Sequence, residues 1–299
     1  MSFRLSAWLV IIHIIVIGQV ARAQDETVVK VDSTLVVLNA VVIDRHGRHV
    51  SGLSKKDFSV FDNSAEQKIS FFAAEESPFA AVVLIDTSGS MEERVTLARA
   101  AAIRFLDGLR PSDNAAIYSF DSKVSLVRPF SNSRDVPEQL FDVKARGMTV
   151  LNDAIYEASI ELEKRPEKRR AIIVLSDGMD TTSRRTEEKT LKAALTANAV
   201  IYTVDMSTAD SNVAQRSRNQ GTLKKFAEKT GGTFVATPGG AAMREAFKNI
   251  ADELGLQYTL GYEPTSSERD GKWHAIELRV ARPGLTIRTR KGYNAFKPS

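Results

Sequence analysis

The sequence contains no cysteine. This excludes thiolate metal sites and thiol catalysis, whereas an oxidising compartment permits disulfides without requiring them. The P-loop, the G-x-S-x-G elbow and the G-x-G-x-x-G fingerprint are missing as well. The sequence therefore lacks the common signals of thiol enzymes, nucleotide-binding proteins and α/β-hydrolases.

A strong net charge is also missing. The formal charge is +4 and 26% of the residues are charged, so the chain produces no strong field and we expect no nucleic-acid partner. The densest basic run, residues 164–170, is predicted to be a solvated loop, with partner steering as the alternative. Apolar residues make up 43% of the sequence, which excludes disorder of the whole chain.

Long apolar runs are absent after the first 23 residues. Ala7–Val20 follows a short segment with Arg4, and Ala21-Arg22-Ala23 then supplies a small-x-small pattern. These features predict a signal peptide that is cleaved after Ala23. An uncleaved anchor is the alternative, although the run is shorter than the roughly 20 residues of a spanning helix. We expect a secreted or periplasmic protein with no membrane span after cleavage.

The hydrophobic pattern divides the rest of the chain into three parts. Residues 24–78 and 255–299 alternate apolar and polar positions, as half-buried strands do, whereas residues 79–254 alternate strands with helices. The continuous apolar runs Ala80–Ile85 and Ala171–Leu175 predict buried parallel strands. We therefore predict a doubly wound, mostly parallel, Rossmann-like α/β sheet. It is inserted in a small β-sandwich that the N- and C-terminal segments form together.

Several smaller features accompany this division. Helices are predicted at residues 92–109, 151–163, 186–198, 223–230 and 241–254. Tyr258, Tyr262 and Trp273 are assigned to the sandwich core. His274 lies in a predicted strand with no acid or nucleophile near it in sequence. His46 and His49 flank a turn, which favours solvated side chains over a metal site.

The segment Asp86-Thr87-Ser88-Gly89-Ser90 follows the first buried strand. In open α/β sheets ligands bind at the carboxyl ends of the strands. The carboxylate of Asp86 and the hydroxyls of Ser88 and Ser90 are hard oxygen donors, which suit Mg²⁺. Because Asp and Ser are also ordinary cap and turn residues, this motif alone leaves a purely structural role open.

Two further segments should reach the same edge of the sheet. Thr149 lies in a glycine-led loop before a predicted helix, and Asp177 follows the second buried strand. The polar residues 180–183 come next, and we expect them to cap the next helix, with shaping of the site's rim as the alternative.

These three segments, in this order, resemble the metal-ion-dependent adhesion site of the von Willebrand factor type A (VWA) family. The resemblance covers about residues 79–254. The metal ligands that it implies are Asp86, Ser88, Ser90, Thr149 and Asp177. It also implies that the two aspartates act partly through water.

The same resemblance implies a function. The expected cofactor is one divalent cation, Mg²⁺ first, with Mn²⁺ and Ca²⁺ as alternatives. The expected partner is a protein whose Asp or Glu carboxylate completes the metal shell. Residues 258–264 and 290–293 also resemble a secreted bacterial subfamily common in acidobacteria, which informs the topology rather than the function.

The resemblance thus predicts a protein-binding or adhesion module and no enzyme. One alternative is a magnesium-dependent, phosphatase-like hydrolase with Asp86 as the nucleophile. Such enzymes need a second carboxylate two residues later, where Ser88 stands, and the sequence offers no general acid. The other alternative is a scaffold with a vestigial metal site.

Overall fold

The computed structural model describes residues 35–74, 77–208, 212–236, 240–264 and 270–295. The predicted signal peptide lies outside these residues. The strands, in chain order, are β1 (Val36–Asp44), β2 (Phe58–Asp62), β3 (Ala65–Gln67), β4 (Ile69–Ala73), β5 (Phe79–Asp86), β6 (Asn114–Phe120), β7 (Val124–Ser131), β8 (Arg169–Ser176), β9 (Ala199–Asp205), β10 (Phe234–Val235), β11 (Tyr258–Tyr262), β12 (Trp273–Val280), β13 (Leu285–Arg288) and β14 (Gly292–Asn294). The helices are α1 (Val95–Asp107), α2 (Leu151–Glu163), α3 (Glu187–Thr196), α4 (Val213–Thr230) and α5 (Gly240–Leu256). Within the described part, no helix combines the length and hydropathy needed to cross a membrane.

The central sheet has six strands in the order β10-β9-β8-β5-β6-β7. All neighbours are parallel except β6 and β7. Because side chains alternate along a strand, the continuous apolar run of β5 is divided between two cores. Ala81, Val83 and Ile85 pack with α1 and α5, whereas the alternate residues pack with α2, α3 and α4. This arrangement confirms the predicted doubly wound sheet.

Two antiparallel sheets flank the α/β part in sequence. Their orders are β13-β1-β11-β4 and β14-β12-β2-β3, so each sheet combines strands from both terminal segments. Both sheets contribute to one apolar core, in which Leu38, Val60, Tyr258 and Leu278 are buried. The sandwich that the sequence predicts is therefore present. The division of the chain after residues 23, 78 and 254 stays a prediction.

Some predicted boundaries are wrong. Helix α1 begins at Val95 rather than residue 92, because Gly89–Met91 forms a separate 3-10 turn. Helix α4 begins at Val213, ten residues before its predicted start, where Asn212 accepts the backbone N–H of Gln215 as an N-cap. The first half of α4 is mostly polar and exposed, so it carries no apolar periodicity.

Two side-chain predictions are wrong as well. Trp273 is 44% exposed, whereas Tyr258 and Tyr262 are fully buried as expected. In the basic run, Arg169 is fully buried rather than solvated. Its guanidinium donates to the Thr259 hydroxyl at 3.0 Å, to the Gly255 carbonyl at the end of α5 and to the Gln257 carbonyl directly after it. A partner so distant in sequence leaves no local signal.

Candidate metal centre

Asp86 is the last residue of β5 and lies beside the end of β8. Parallel pairing of Ile85 with Leu175 brings the two strand ends to one edge of the sheet. Asp86 is fully buried. Its Oδ1 accepts the Ser88 backbone N–H at 2.9 Å, and its Oδ2 accepts the Ser176 hydroxyl at 2.6 Å. The carboxylate is therefore oriented by both neighbouring loops.

The first loop brings two hydroxyls together. Ser88 is buried and Ser90 is exposed, and their Oγ atoms lie 3.1 Å apart. In an octahedral Mg²⁺ shell, with ligands at about 2.1 Å, neighbouring oxygens lie about 3 Å apart. The two hydroxyls can therefore contact one small cation, and the exposure of Ser90 opens the site to solvent.

The second loop is joined to the first by backbone hydrogen bonds. The N–H of Arg146 donates to the Thr87 carbonyl at 2.7 Å, and the N–H of Gly89 donates to the Gly147 carbonyl at 3.1 Å. Gly147 has a φ of +75°, and a Cβ there would lie 2.7 Å from a serine hydroxyl. The positive φ favours glycine here, and a larger residue would also displace this serine hydroxyl. Thr149 follows two residues later and is buried.

The third loop turns sharply after β8. Ser176, which donates to Asp86, also accepts the Gly178 backbone N–H at 3.0 Å. Gly178 has a φ of +79°, and a Cβ there would lie 2.6 Å from a backbone carbonyl oxygen of α4. Asp177 is only 8% exposed, and its Oδ1 accepts the Met179 backbone N–H at 3.0 Å. The turn therefore holds the second carboxylate at the same sheet edge as the first.

Burial makes the ionised form of Asp86 costly. It raises the pKa of this carboxyl to about 7, and the hydrogen bonds from Ser176 and Ser88 offset it only in part. The negative charge of Asp177 raises the pKa further. Among the described residues, no cationic side chain is a cause that lowers this pKa, and a divalent cation would supply such positive charge.

The donor set also fits a hard cation. No three His, Cys, Asp or Glu side chains of the described residues converge into a metal-binding group. A centre at this edge would therefore combine two carboxylates with hydroxyls, which is an all-oxygen set that Mg²⁺ accepts and that leaves room for water. Ser176 was not among the predicted site residues, although its position directly before Asp177 could have indicated it.

Residues 180–183 contact the preceding helix rather than capping the next one. The Thr181 hydroxyl accepts the Thr149 N–H at 2.8 Å and donates to the Thr149 carbonyl at 3.1 Å. The Asp180 carboxylate accepts the Asn152 backbone N–H at 3.4 Å. Helix α3 is capped instead by Thr186. The predicted capping role is therefore wrong, and the segment holds the second ligand loop.

Residues 81–179 match the family model of the von Willebrand factor type A domain. This part of the chain is therefore similar to a VWA domain, and the α/β part has a VWA-like fold. The match runs from β5 to the third ligand loop and includes all five predicted ligands. No curated protein matches the chain.

Two solved structures with TM-scores of 0.50 or above are similar to this chain in fold. A von Willebrand factor type A protein from Catenulispora acidiphila has a TM-score of 0.50 and 15% identity, covering 81% of this chain and 74% of that one. Proximal thread matrix protein 1 from the mussel byssus has a TM-score of 0.51 and 14% identity, covering 65% and 51%. The PilB minor pilin from Streptococcus sanguinis has a TM-score of 0.48 and 13% identity, covering 60% of this chain and 62% of that one. The chain thus spans about three fifths of that pilin.

Two histidines outside the VWA domain also differ from expectation. His49 is half-buried, and its Nε2 lies 3.7 Å from Glu253 Oε2. No obvious acid was identified near His274 in sequence, yet its Nε2 lies 3.2 Å from Oδ1 of Asp270, four residues earlier, and its Nδ1 lies 2.7 Å from Oδ1 of the distant Asp62. The contacts of His274 lie within the sandwich, whereas the contact of His49 joins the sandwich to α5, and none of them involves a predicted metal ligand.

Proposed function

We propose that the VWA domain binds one divalent cation, Mg²⁺ first, and uses it to hold an Asp or Glu side chain of a protein partner. The proposed metal ligands are Asp86, Ser88, Ser90, Thr149 and Asp177. The strongest support is the convergence at one sheet edge of a buried carboxylate with a raised pKa and two hydroxyls 3.1 Å apart. When bound, the cation supplies the positive charge that attracts the partner's carboxylate.

The two aspartates set the strength of this attraction. Asp86 and Asp177 together can cancel the charge of the cation, so an incoming carboxylate meets a weakened field. Affinity and specificity then depend on the surface around the metal loops. We therefore propose a module for selective protein binding or adhesion.

The proposed place of action is outside the cytoplasm, in the periplasm or beyond. This rests on the predicted signal peptide of residues 1–23 and its cleavage pattern at Ala21-Arg22-Ala23.

Nothing in the site favours the phosphatase alternative. An aspartyl nucleophile needs an oxygen that can reach a phosphoester, whereas Asp86 is fully buried and both of its oxygens accept hydrogen bonds. Turnover of generic phosphoesters that is lost in Asp86→Asn would revive this alternative. A partner captured from envelope extract equally well with and without a chelator would favour a scaffold with a vestigial site.

Thermal unfolding with and without metal tests the proposal. An ion that binds only the folded chain stabilises it, by about 2.7 kcal/mol at 100 times its Kd. Mg²⁺ or Mn²⁺ should therefore raise the unfolding midpoint of the wild type, and Asp86→Ala should abolish this rise. Asp107→Ala is the matched control, because Asp107 is an exposed residue at the end of α1, and it should keep the full rise. No rise in the wild type, or a full rise in Asp86→Ala, would refute the proposed site.

A further inference from the structure

A groove of about 470 Å³ adjoins the metal loop. One wall comes from β7 and the turn before it, and the opposite wall comes from residues 139–146. Thr87 also lines the groove, and it lies in sequence between Asp86 and Ser88. A partner held at the proposed cation can therefore extend into this groove.

One exposed apolar side chain lines the groove, and two others lie in neighbouring segments of the chain. Leu126, which lines it, is 56% exposed, Phe141 is 56% exposed and Met148 is 50% exposed. Phe141 directly precedes a lining residue, and Met148 lies in the second ligand loop with its N–H on Ser122 Oγ at 3.0 Å. These are three of the six large apolar side chains that are most exposed in the described part of the chain. An exposed apolar side chain in a groove beside a site is compatible with an interaction surface.

The charges of the groove favour an acidic occupant. Its lining includes three cationic side chains, Lys123, Lys144 and Arg146, against the carboxylates of Asp121 and Asp142. Arg146 Nε lies 3.7 Å from Asp121 Oδ2, while Lys123 and Lys144 are both exposed. The lining is positive by one charge, and the proposed cation would add no net charge beside it, because Asp86 and Asp177 can cancel the charge of that cation. The field of the lining attracts negative charge to this face.

We propose that this groove docks an acidic segment of the protein partner. The proposal rests on the proposed function: one Asp or Glu carboxylate of the segment reaches the cation. Neighbouring acidic side chains meet Lys123 and Lys144, and an apolar side chain contacts Leu126. The exposed Leu126 favours such a segment over an acidic polysaccharide, which has no apolar side chain to bury against it.

A charge-reversal pair tests this groove without changing a metal ligand. The probe is a random peptide library displayed on phage, which is selected on the full chain in Mg²⁺. The wild type should enrich peptides that combine Asp or Glu with apolar residues. The best of these peptides should then bind about tenfold more weakly to the double variant K123E/K144E. The matched control K189E/K192E changes two exposed lysines of α3 by the same total charge and should bind as the wild type does.

Other outcomes would overturn the proposal. The selected peptides could contain no acidic residues, or they could bind the wild type and K123E/K144E equally well. K123E/K144E and K189E/K192E could also lose the same amount of peptide affinity. Polyguluronate, an acidic polysaccharide, is the second probe, and its binding as tightly as the best peptide would contradict a protein segment as the occupant. EDTA separates this inference from the proposed function. If K123E/K144E weakens peptide binding but EDTA does not, the proposed cation site is refuted and the docking groove is supported. If EDTA weakens peptide binding but K123E/K144E does not, the docking groove is refuted and the proposed cation site is supported.

Discussion

Thr181 fixes both polar groups of the Thr149 backbone. Its hydroxyl accepts the Thr149 N–H at 2.8 Å and donates to the Thr149 carbonyl at 3.1 Å. The backbone N–H groups of Thr181 and Thr182 donate to the same carbonyl, at 2.9 and 3.1 Å. The segment after the third ligand loop thus holds the second, so the positions of Thr149 and Asp177 depend on each other.

Thr181→Val should loosen this loop, because the methyl group that replaces the hydroxyl makes neither hydrogen bond. A loss of about 1 kcal/mol of local stability corresponds to about fivefold faster exchange of the Thr149 amide. Hydrogen exchange of the metal-free protein measures this directly. Thr181→Ser keeps the hydroxyl and should restore slow exchange. Equal exchange in all three proteins would show that Thr181 does not position Thr149.

The sequence predicts which polar residues lie at the strand ends, but it does not predict their hydrogen-bond partners. Asp86, Ser88 and Asp177 could be found because each follows a recognisable buried strand. The bond from Ser176 to Asp86 spans 90 residues, and that from Arg169 to Thr259 also spans 90. No local pattern encodes such pairs.

At the scale of elements, four strands of the sandwich meet at one carboxylate. Asp62 of β2 accepts the hydroxyl of Tyr262 from β11 at 2.6 Å and that of Tyr293 from β14 at 2.8 Å. His274 of β12 contacts its other oxygen. Asp62 therefore links both sheets of the sandwich. Burial lowers the pKa of His274, but hydrogen bonds to Asp62 and Asp270 outweigh it, so the pKa lies above its ordinary value.

This shift makes the stability of the chain depend on pH. A histidine whose pKa is raised in the folded state stabilises fully below its unfolded pKa of about 6.5 and loses this contribution as pH rises through the folded pKa. The free energy of unfolding in urea and EDTA should fall over that window. His274→Asn should make this fall smaller, leaving the part that the raised pKa of Asp86 contributes up to about pH 7, and it should cost about 1–3 kcal/mol at pH 6. His46→Asn, at an exposed turn, should behave as the wild type. An identical pH profile in His274→Asn would contradict the assignment.

Helices with a clear apolar periodicity were predicted more accurately than helices without one. Helix α2 has the predicted bounds Leu151–Glu163, because its buried residues recur with helical spacing. Helix α4 packs only its second half tightly, and its polar first half was missed. β14 was missed as well, because three residues are too few to show alternation.

At the scale of the whole molecule, the sandwich was predictable because neither terminal segment could bury its apolar faces alone. Neither terminal segment has enough strands to hide both faces, so the two had to combine. What remained hidden is the polar junction between the sandwich and the α/β part. There Thr259 donates to Asn39 and accepts from Arg169, and Arg288 and Tyr202 donate to Glu253 of α5. Partners drawn from three parts of the chain cannot be read from one segment.

The central claim is that one divalent cation lies between Ser88, Ser90, Thr149, Asp86 and Asp177. Anomalous scattering from a crystal grown with Mn²⁺, which stands in for Mg²⁺ at all-oxygen sites, tests it most directly. We predict a single strong peak within coordination distance of the Ser88 and Ser90 hydroxyls, and no such peak in Asp86→Ala crystals. A wild-type map without a peak at this sheet edge, or with its peak at another position, would contradict the claim.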